Sequence, residues 1–246
     1  METSWEKSSQ WYDEIVGEKG HTYHQEIILP ALLKLLDLKP NDHLLDVGCG
    51  QGVFARALPK GVKYTGIDAS PTLIKKAKST YPAGQFIVTD ATKPYQLKEK
   101  ATHAICILCL QNMSDPKSAL KQLAGHTTGK VILVLNHPCF RIPRQSSWGI
   151  DESKKIQYRR IDRYMTPLQV PIQTHPGKGG ESTLSFHFPL SYWTSSCKDA
   201  GIVIHDIQEW CSHKESTGRM ARMENRAREE FPLFLTLIGR TEPKKP

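Results

Sequence analysis

Asp46, Gly48, Gly50 and Gly52 recur at two-residue intervals where the apolar run Leu44-Leu45-Asp46-Val47 ends. Glycines so spaced take positive φ and let a ligand approach the backbone, while the N–H groups that follow can face an electron-rich group. Such a turn is a cofactor cradle, although a plain loop is built the same way. Asp68, twenty residues beyond Gly48, ends the run Val62–Ile67, where a carboxylate accepts both hydroxyls of a ribose. Its other reading is as N-cap of the next helix, a role that Ser70 before Pro71 fills equally well. Asp90-Ala91 follows a third run, Gln85–Thr89, and an acid there can accept from an adenine amino group. A dinucleotide fingerprint needs glycine at 53; Val53 stands there, so NAD is not the expected ligand.

Elements that alternate in type must position these residues. The runs at 43–47, 62–67, 85–89, 101–110 and 130–136 read as strands, with helices expected over 53–58, 71–80 and 116–124 between them. An earlier helix spans 23–36, kinked or restarted at Pro30. After residue 188 come a helix from Pro189 to Ala200, a sixth strand at 202–207, an amphipathic helix over 214–230 and a seventh strand at 231–239. Strands alternating with helices imply an α/β, doubly wound sheet with ligands at the carboxyl ends of the strands. The motifs all fall at those ends.

Asp46-x-Gly48-x-Gly50-x-Gly52, with Asp68 and Asp90 at their strand ends, resembles the cofactor motifs of class I S-adenosylmethionine-dependent methyltransferases. The resemblance covers residues 42–136 firmly and 183–240 more loosely. It implies a seven-stranded, mostly parallel, Rossmann-like sheet carrying a cap insertion, and S-adenosyl-L-methionine as cofactor. By the same resemblance Asp46 lies near the methionine ammonium, Gly48, Cys49 and Gly50 line the cofactor, Asp68 and Ala69 hold the ribose, and Asp90 and Ala91 the adenine. Cys109 and Gln111, leaving the fourth strand, lie against it. The leading segment closes over the site in many such enzymes, which makes Tyr12, His21, Tyr23 and His24 candidates for lining it.

The chain has 246 residues, suited to one domain divided as 1–40, 41–136, 137–188 and 189–246. Its first residues carry acids and no apolar core, so no secretory signal is expected, and no run approaches the roughly 20 apolar residues that span a bilayer. A soluble, cytoplasmic protein is the expectation. Cys106 and Cys109 form a C-x-x-C inside an apolar run; three residues apart on a strand they face opposite sides, so no metal site is expected. The net charge of +8 is spread over residues 41–136 and 137–188, which permits a nucleic-acid partner without arguing for one.

A sulfonium methyl is already electrophilic, so transfer needs an in-line nucleophile and exclusion of water, with a base where the acceptor is a hydroxyl or amine. His137, directly after the fifth strand, is the first candidate base, with His187 and His24 behind it. Residues 137–188 form a substrate cap, in which Arg141, Arg144, Trp148, Tyr164 and His187 are the expected acceptor contacts. Arg159, Arg160 and Arg163 either bind an acidic acceptor too or pair with Asp151, Glu152 and Asp162. A small-molecule acceptor is the leading expectation. The alternatives are an RNA or protein substrate, favoured by the arginines of 219–228, and a non-catalytic cofactor-binding subunit. Leu110-Gln111-Asn112-Met113 lacks the Asn/Asp-Pro-Pro-aromatic tetrad of amino-methylating nucleic-acid enzymes.

Overall fold

The computed structural model of the protein describes Glu6, residues 21–173 and residues 182–242. A π-helical turn, His24–Ile28, leads into α1 (Leu29–Leu36), where Pro30 sits in the first turn and needs no hydrogen-bond donor. Leu32 and Leu36 are buried and contribute roughly 2 kcal/mol each, which carries a helix too short to stand alone. Then follow β1 (His43–Val47), β2 (Lys63–Asp68), α2 (Pro71–Thr80), β3 (Gln85–Val88), β4 (Ala101–Ile107), α3 (Pro116–Gly125) and β5 (Thr127–Asn136). The two proline-led helices are capped by side chains: Ser70 accepts the Leu73 N–H and Asp115 accepts the Ser118 N–H.

Beyond β5 lie β6 (Ser146–Asp151), β7 (Ile156–Ile161), β8 (Leu168–Gln173), β9 (Ser182–His187), α4 (Leu190–Asp199), β10 (Ile202–Trp210), α5 (Ala221–Glu230) and β11 (Phe234–Thr241). Seven strands form one sheet in the order β3-β2-β1-β4-β5-β11-β10. Pairing is parallel from β3 to β5, and β11 runs antiparallel to both β5 and β10. This is the seven-stranded, mostly parallel sheet that the sequence led us to expect.

Both faces are covered, so successive residues of one strand serve opposite cores. Leu45, Val47, Leu133 and Leu135 pack with α3 and α4, including Leu120 and Trp193. Leu44, Ile132 and Val134 pack with α1 and α2, including Leu32 and Ile74. The carboxyl ends of β1, β2, β4 and β5 are thereby fixed at one edge.

The structure departs from the sequence pattern at four places. Residues 53–58 hold only a 3₁₀ turn, Ala55–Ala57, since the stretch between Gly52 and Pro59 is too short to nucleate an α-helix and Leu58 is extended before proline. β4 stops at Ile107 because Leu108 takes φ 51° and starts a 3₁₀ turn, Leu110–Asn112. Cys109 is therefore off the strand and shares a hydrogen bond with Cys106, so the argument from opposite faces fails. The helix expected from 214 begins only at Ala221, after Gly218 at φ +89°. Finally, the cap holds two antiparallel hairpins, β6–β7 and β8–β9, and the half-exposed strands of the first show no clean alternation.

Candidate active site

The glycine turn follows β1 with Gly48, Gly50 and Gly52 all at positive φ. Its tightest approach is at Gly48, where an added Cβ would fall 2.0 Å from Cys109 Sγ. Cys109 thus packs against the glycine turn. Cys49 turns the other way: a Cβ on Gly66 of β2 would lie 2.7 Å from its Sγ, so the thiol packs into the sheet. Burial first, then Asp46 and Asp68, push this thiol well above its ordinary pKa and keep it inert.

Asp68 ties the cradle together. Its Oδ2 accepts the Gly50 N–H at 2.9 Å and its Oδ1 accepts the Ser70 N–H at 2.9 Å. Burial raises its pKa, and the N–H groups of Ser70, Gly50 and Ala69 oppose that rise. The half-buried Ala69 lies beside it. Glu6 reaches the same edge, accepting from the hydroxyls of Ser70 and Thr72. Nothing in the local sequence marks Glu6 for that contact. Asp90 uses Oδ1 for the Thr92 N–H and hydroxyl at 2.9 and 2.7 Å and leaves Oδ2 unpartnered among the described residues, while Ala91 is buried behind it.

Asp46 lies beneath the turn, 2% exposed, accepting the Tyr64 hydroxyl on Oδ2 at 2.7 Å. Its Oδ1 is buried with no partner among the described residues, and so is Oε1 of Gln111. Two orphaned acceptors and a turn open to backbone approach fit a cofactor that brings an ammonium and other donors. Burial chiefly, with Asp68 adding, raises the Asp46 carboxyl to about 7. Between the ordinary carboxylate range and that value the folded state holds the extra proton, so stability falls as pH rises through this window. Asp46→Asn should therefore flatten the pH dependence and be more stable than the parent at pH 8, by on the order of 3 kcal/mol. Thermal unfolding at pH 5 and pH 8 checks this; a variant that melts below the parent at pH 8 would refute it.

At the ends of β4 and β5, joined to the cradle through the turn that carries Cys109 and Gln111, lies a small, partly open cavity. Gln111, Asn136, Arg141 and His187 supply its polar wall, and Leu135, Phe186, Phe188 and Trp193 much of its apolar one. The β8–β9 hairpin delivers Ser185, Phe186 and His187. His187 Nε2 lies 2.6 Å from the Tyr164 carbonyl. A carbonyl only accepts, so the proton sits on Nε2 and the lone pair on Nδ1, which has no partner among the described residues. Burial lowers the His187 pKa more than that carbonyl raises it, which keeps the ring neutral at pH 7.

His137 is placed differently. Its Nδ1 accepts the Cys139 N–H at 3.2 Å and its Nε2 donates to Glu209 Oε1 at 2.6 Å. No lone pair is left for an acceptor, and the ring pins the end of β5 to β10 outside the cavity lining. Arg144 is exposed at φ 58°, and Trp148, 42% exposed, packs on Phe231 beneath Arg159; neither lines the cavity. Tyr164 acts from behind, its Oη accepting the Leu190 N–H at 3.0 Å. Arg160 pairs with Asp162 inside the cap at 2.7 Å. His24 is half-buried, and its buried Nδ1 has no hydrogen-bond partner among the described residues. Tyr12 lies outside the described residues. Asn136, Ser185, Phe186, Phe188 and Trp193 were not foreseen as site residues, and of these only Asn136, a polar end to a buried strand, carried a sequence signal.

Comparison with known proteins bears on the family and the fold. The family model described as a methyltransferase domain matches residues 20–170. A ubiquinone biosynthesis O-methyltransferase of Coxiella burnetii is 30% identical over 107 residues, which are 40% of this chain and 46% of that protein. The match thus spans less than half of the curated relative. An S-adenosylmethionine-dependent methyltransferase from Mesorhizobium loti superposes with TM-score 0.67 at 23% identity, over 86% of this chain and 96% of that one. Magnesium protoporphyrin IX methyltransferase from Synechocystis PCC 6803, solved with S-adenosylhomocysteine, gives a TM-score of 0.60 at 14% identity, over 97% of this chain and 96% of that one. The chain belongs to the methyltransferase-domain family and has the class I S-adenosylmethionine-dependent methyltransferase fold.

Proposed function

We propose that the protein transfers a methyl group from S-adenosyl-L-methionine to an oxygen or nitrogen of a small-molecule acceptor. The observation that carries this reading is the cavity beside the cradle, small, with apolar rings and convergent polar groups sharing its wall. When bound, the cofactor supplies an electrophilic sulfonium methyl. Asp68, Asp90 and the glycine turn would hold its nucleoside end, with Asp46 and Gln111 toward the rest. Phe186, Phe188 and Trp193 keep water from the reacting groups. His187 Nδ1 takes the proton from the acceptor hydroxyl or amine, and the Tyr164 carbonyl stabilises the imidazolium through Nε2–H. The name of the Coxiella relative supports a hydroxyl acceptor. Six free cysteines suit a reducing compartment, the cytoplasm.

An RNA or protein substrate draws support from Arg222 and Arg226, both exposed on α5. The same helix carries Glu224, Glu229 and Glu230, and Arg228 pairs with Glu224, so it presents mixed charge where a phosphate backbone calls for a basic stripe. The discriminating experiment uses methyl-labelled S-adenosylmethionine with a cell extract split into small molecules, RNA and protein. Label is expected in the small-molecule fraction. Label confined to RNA or protein would replace this reading with the second one.

A further inference from the structure

Three segments distant in sequence meet around the Tyr23 ring, which is linked through Phe234 to Arg141 of the cavity wall. His21 lies 5.2 Å from that ring, His213 5.6 Å in an edge contact, and the Lys214 ammonium 5.0 Å above it. Tyr23 also meets Phe234 edge-on at 5.9 Å, and the Arg141 guanidinium lies 5.6 Å from the Phe234 ring. Two linked aromatic rings thus gather Arg141, Lys214, His213 and His21 along one path from the cavity wall to solvent.

None of these four groups has a carboxylate partner among the described residues. Other cations do find carboxylates, as Lys39 does with Asp37, Lys63 with Glu99 and Arg160 with Asp162. The nearby Glu209 is already taken by His137. Arg141 is half-buried, and among the described residues its guanidinium donates to the neutral Asn136 Oδ1 at 2.7 Å. A guanidinium carries five donors, and a charge kept from water without an anion is costly. Crowding is visible at His21, whose pKa burial lowers first and Lys214 and His213 lower further.

We propose that Arg141, Tyr23, His213, Lys214 and His21 form a recognition site for an oxyanion, a carboxylate or phosphate, carried by the methyl acceptor. The site rests on the small-molecule reading above and names the substrate class: a molecule whose reacting end enters the cavity beside His187 and whose acidic end stays beside Tyr23. Arg141 takes two oxygens of the anion side by side, and Lys214 neutralises it from the exposed rim.

The test is calorimetric titration of the full chain saturated with S-adenosylhomocysteine, using 4-hydroxybenzoate, 4-hydroxybenzamide and inorganic phosphate as probes. At least one oxyanion should bind about tenfold more tightly than the neutral amide. Binding by benzoate alone assigns a carboxylate acceptor and by phosphate alone a phosphorylated one. Arg141→Gln and the exposed Lys214→Gln should each weaken that binding about tenfold and leave S-adenosylhomocysteine affinity unchanged. Equal affinity for amide and oxyanions, or variants that bind like the parent, would overturn the proposal. So would a loss of S-adenosylhomocysteine affinity in the variants, which would give the cluster to the cofactor. A parent chain that fails to bind S-adenosylhomocysteine refutes instead the methyltransferase reading on which the site rests.

Discussion

Asp68→Ala is expected to lower the affinity for S-adenosylhomocysteine about a hundredfold or more, roughly 3 kcal/mol, while the chain stays folded. Two losses combine. The carboxylate that would accept the ribose hydroxyls disappears, and with it the acceptor that holds Gly50 N–H and Ser70 N–H at 2.9 Å each. The glycine turn is then no longer pinned to the end of β2, so the backbone donors facing the cofactor lose their fixed aim. Folding survives because the sheet register between β1 and β2, His43 against Lys63 through Val47 against Ile67, does not depend on that side chain. Asp68→Asn separates the two effects, since an amide oxygen still accepts one N–H but brings no charge. It should fall between parent and Asp68→Ala. Calorimetric binding within twofold of the parent for Asp68→Ala, with unchanged circular dichroism, would remove the cofactor assignment of this edge.

That edge was legible in the sequence because everything that makes it is local. Glycines at positive φ, an acid at a strand end and a proline-led helix with its own cap each occupy a window of a few residues, and the parallel sheet follows from their alternation. The acceptor side is built otherwise. Whether a histidine can act as a base depends on which lone pair its neighbours leave free, and for His137 that is settled by Glu209, 72 residues away. His187 is set by a backbone carbonyl 23 residues back, a partner that no residue type signals. The hairpins of the cap were hidden for a related reason. β6 and β7 keep few residues buried, so neither strand needs the apolar alternation that marks a strand packed on a core. The same holds for the cations around Tyr23, which come from residues 21–23, 141 and 213–214.

His187→Gln should reduce kcat by a factor of about 10² to 10³ with the acceptor that the labelling experiment yields, leaving cofactor affinity unchanged. Glutamine keeps an N–H that can donate to the Tyr164 carbonyl, so the β8–β9 hairpin retains its anchor and the cavity its shape. What it lacks is a basic lone pair. The pH dependence makes the test specific. Burial holds the folded His187 below the ordinary histidine range, so the neutral base persists to lower pH and the acid limb of kcat lies below about 6.5. In His187→Gln that limb should vanish and leave a slow, flatter profile. His137→Gln offers the contrast: a glutamine amide does not reproduce the imidazole bridge from the Cys139 N–H to Glu209, so the melting temperature should fall while the acid limb stays in place. If the limb instead disappears in His137→Gln and survives in His187→Gln, the proton goes to the histidine at the end of β5, and the cavity binds the acceptor without deprotonating it.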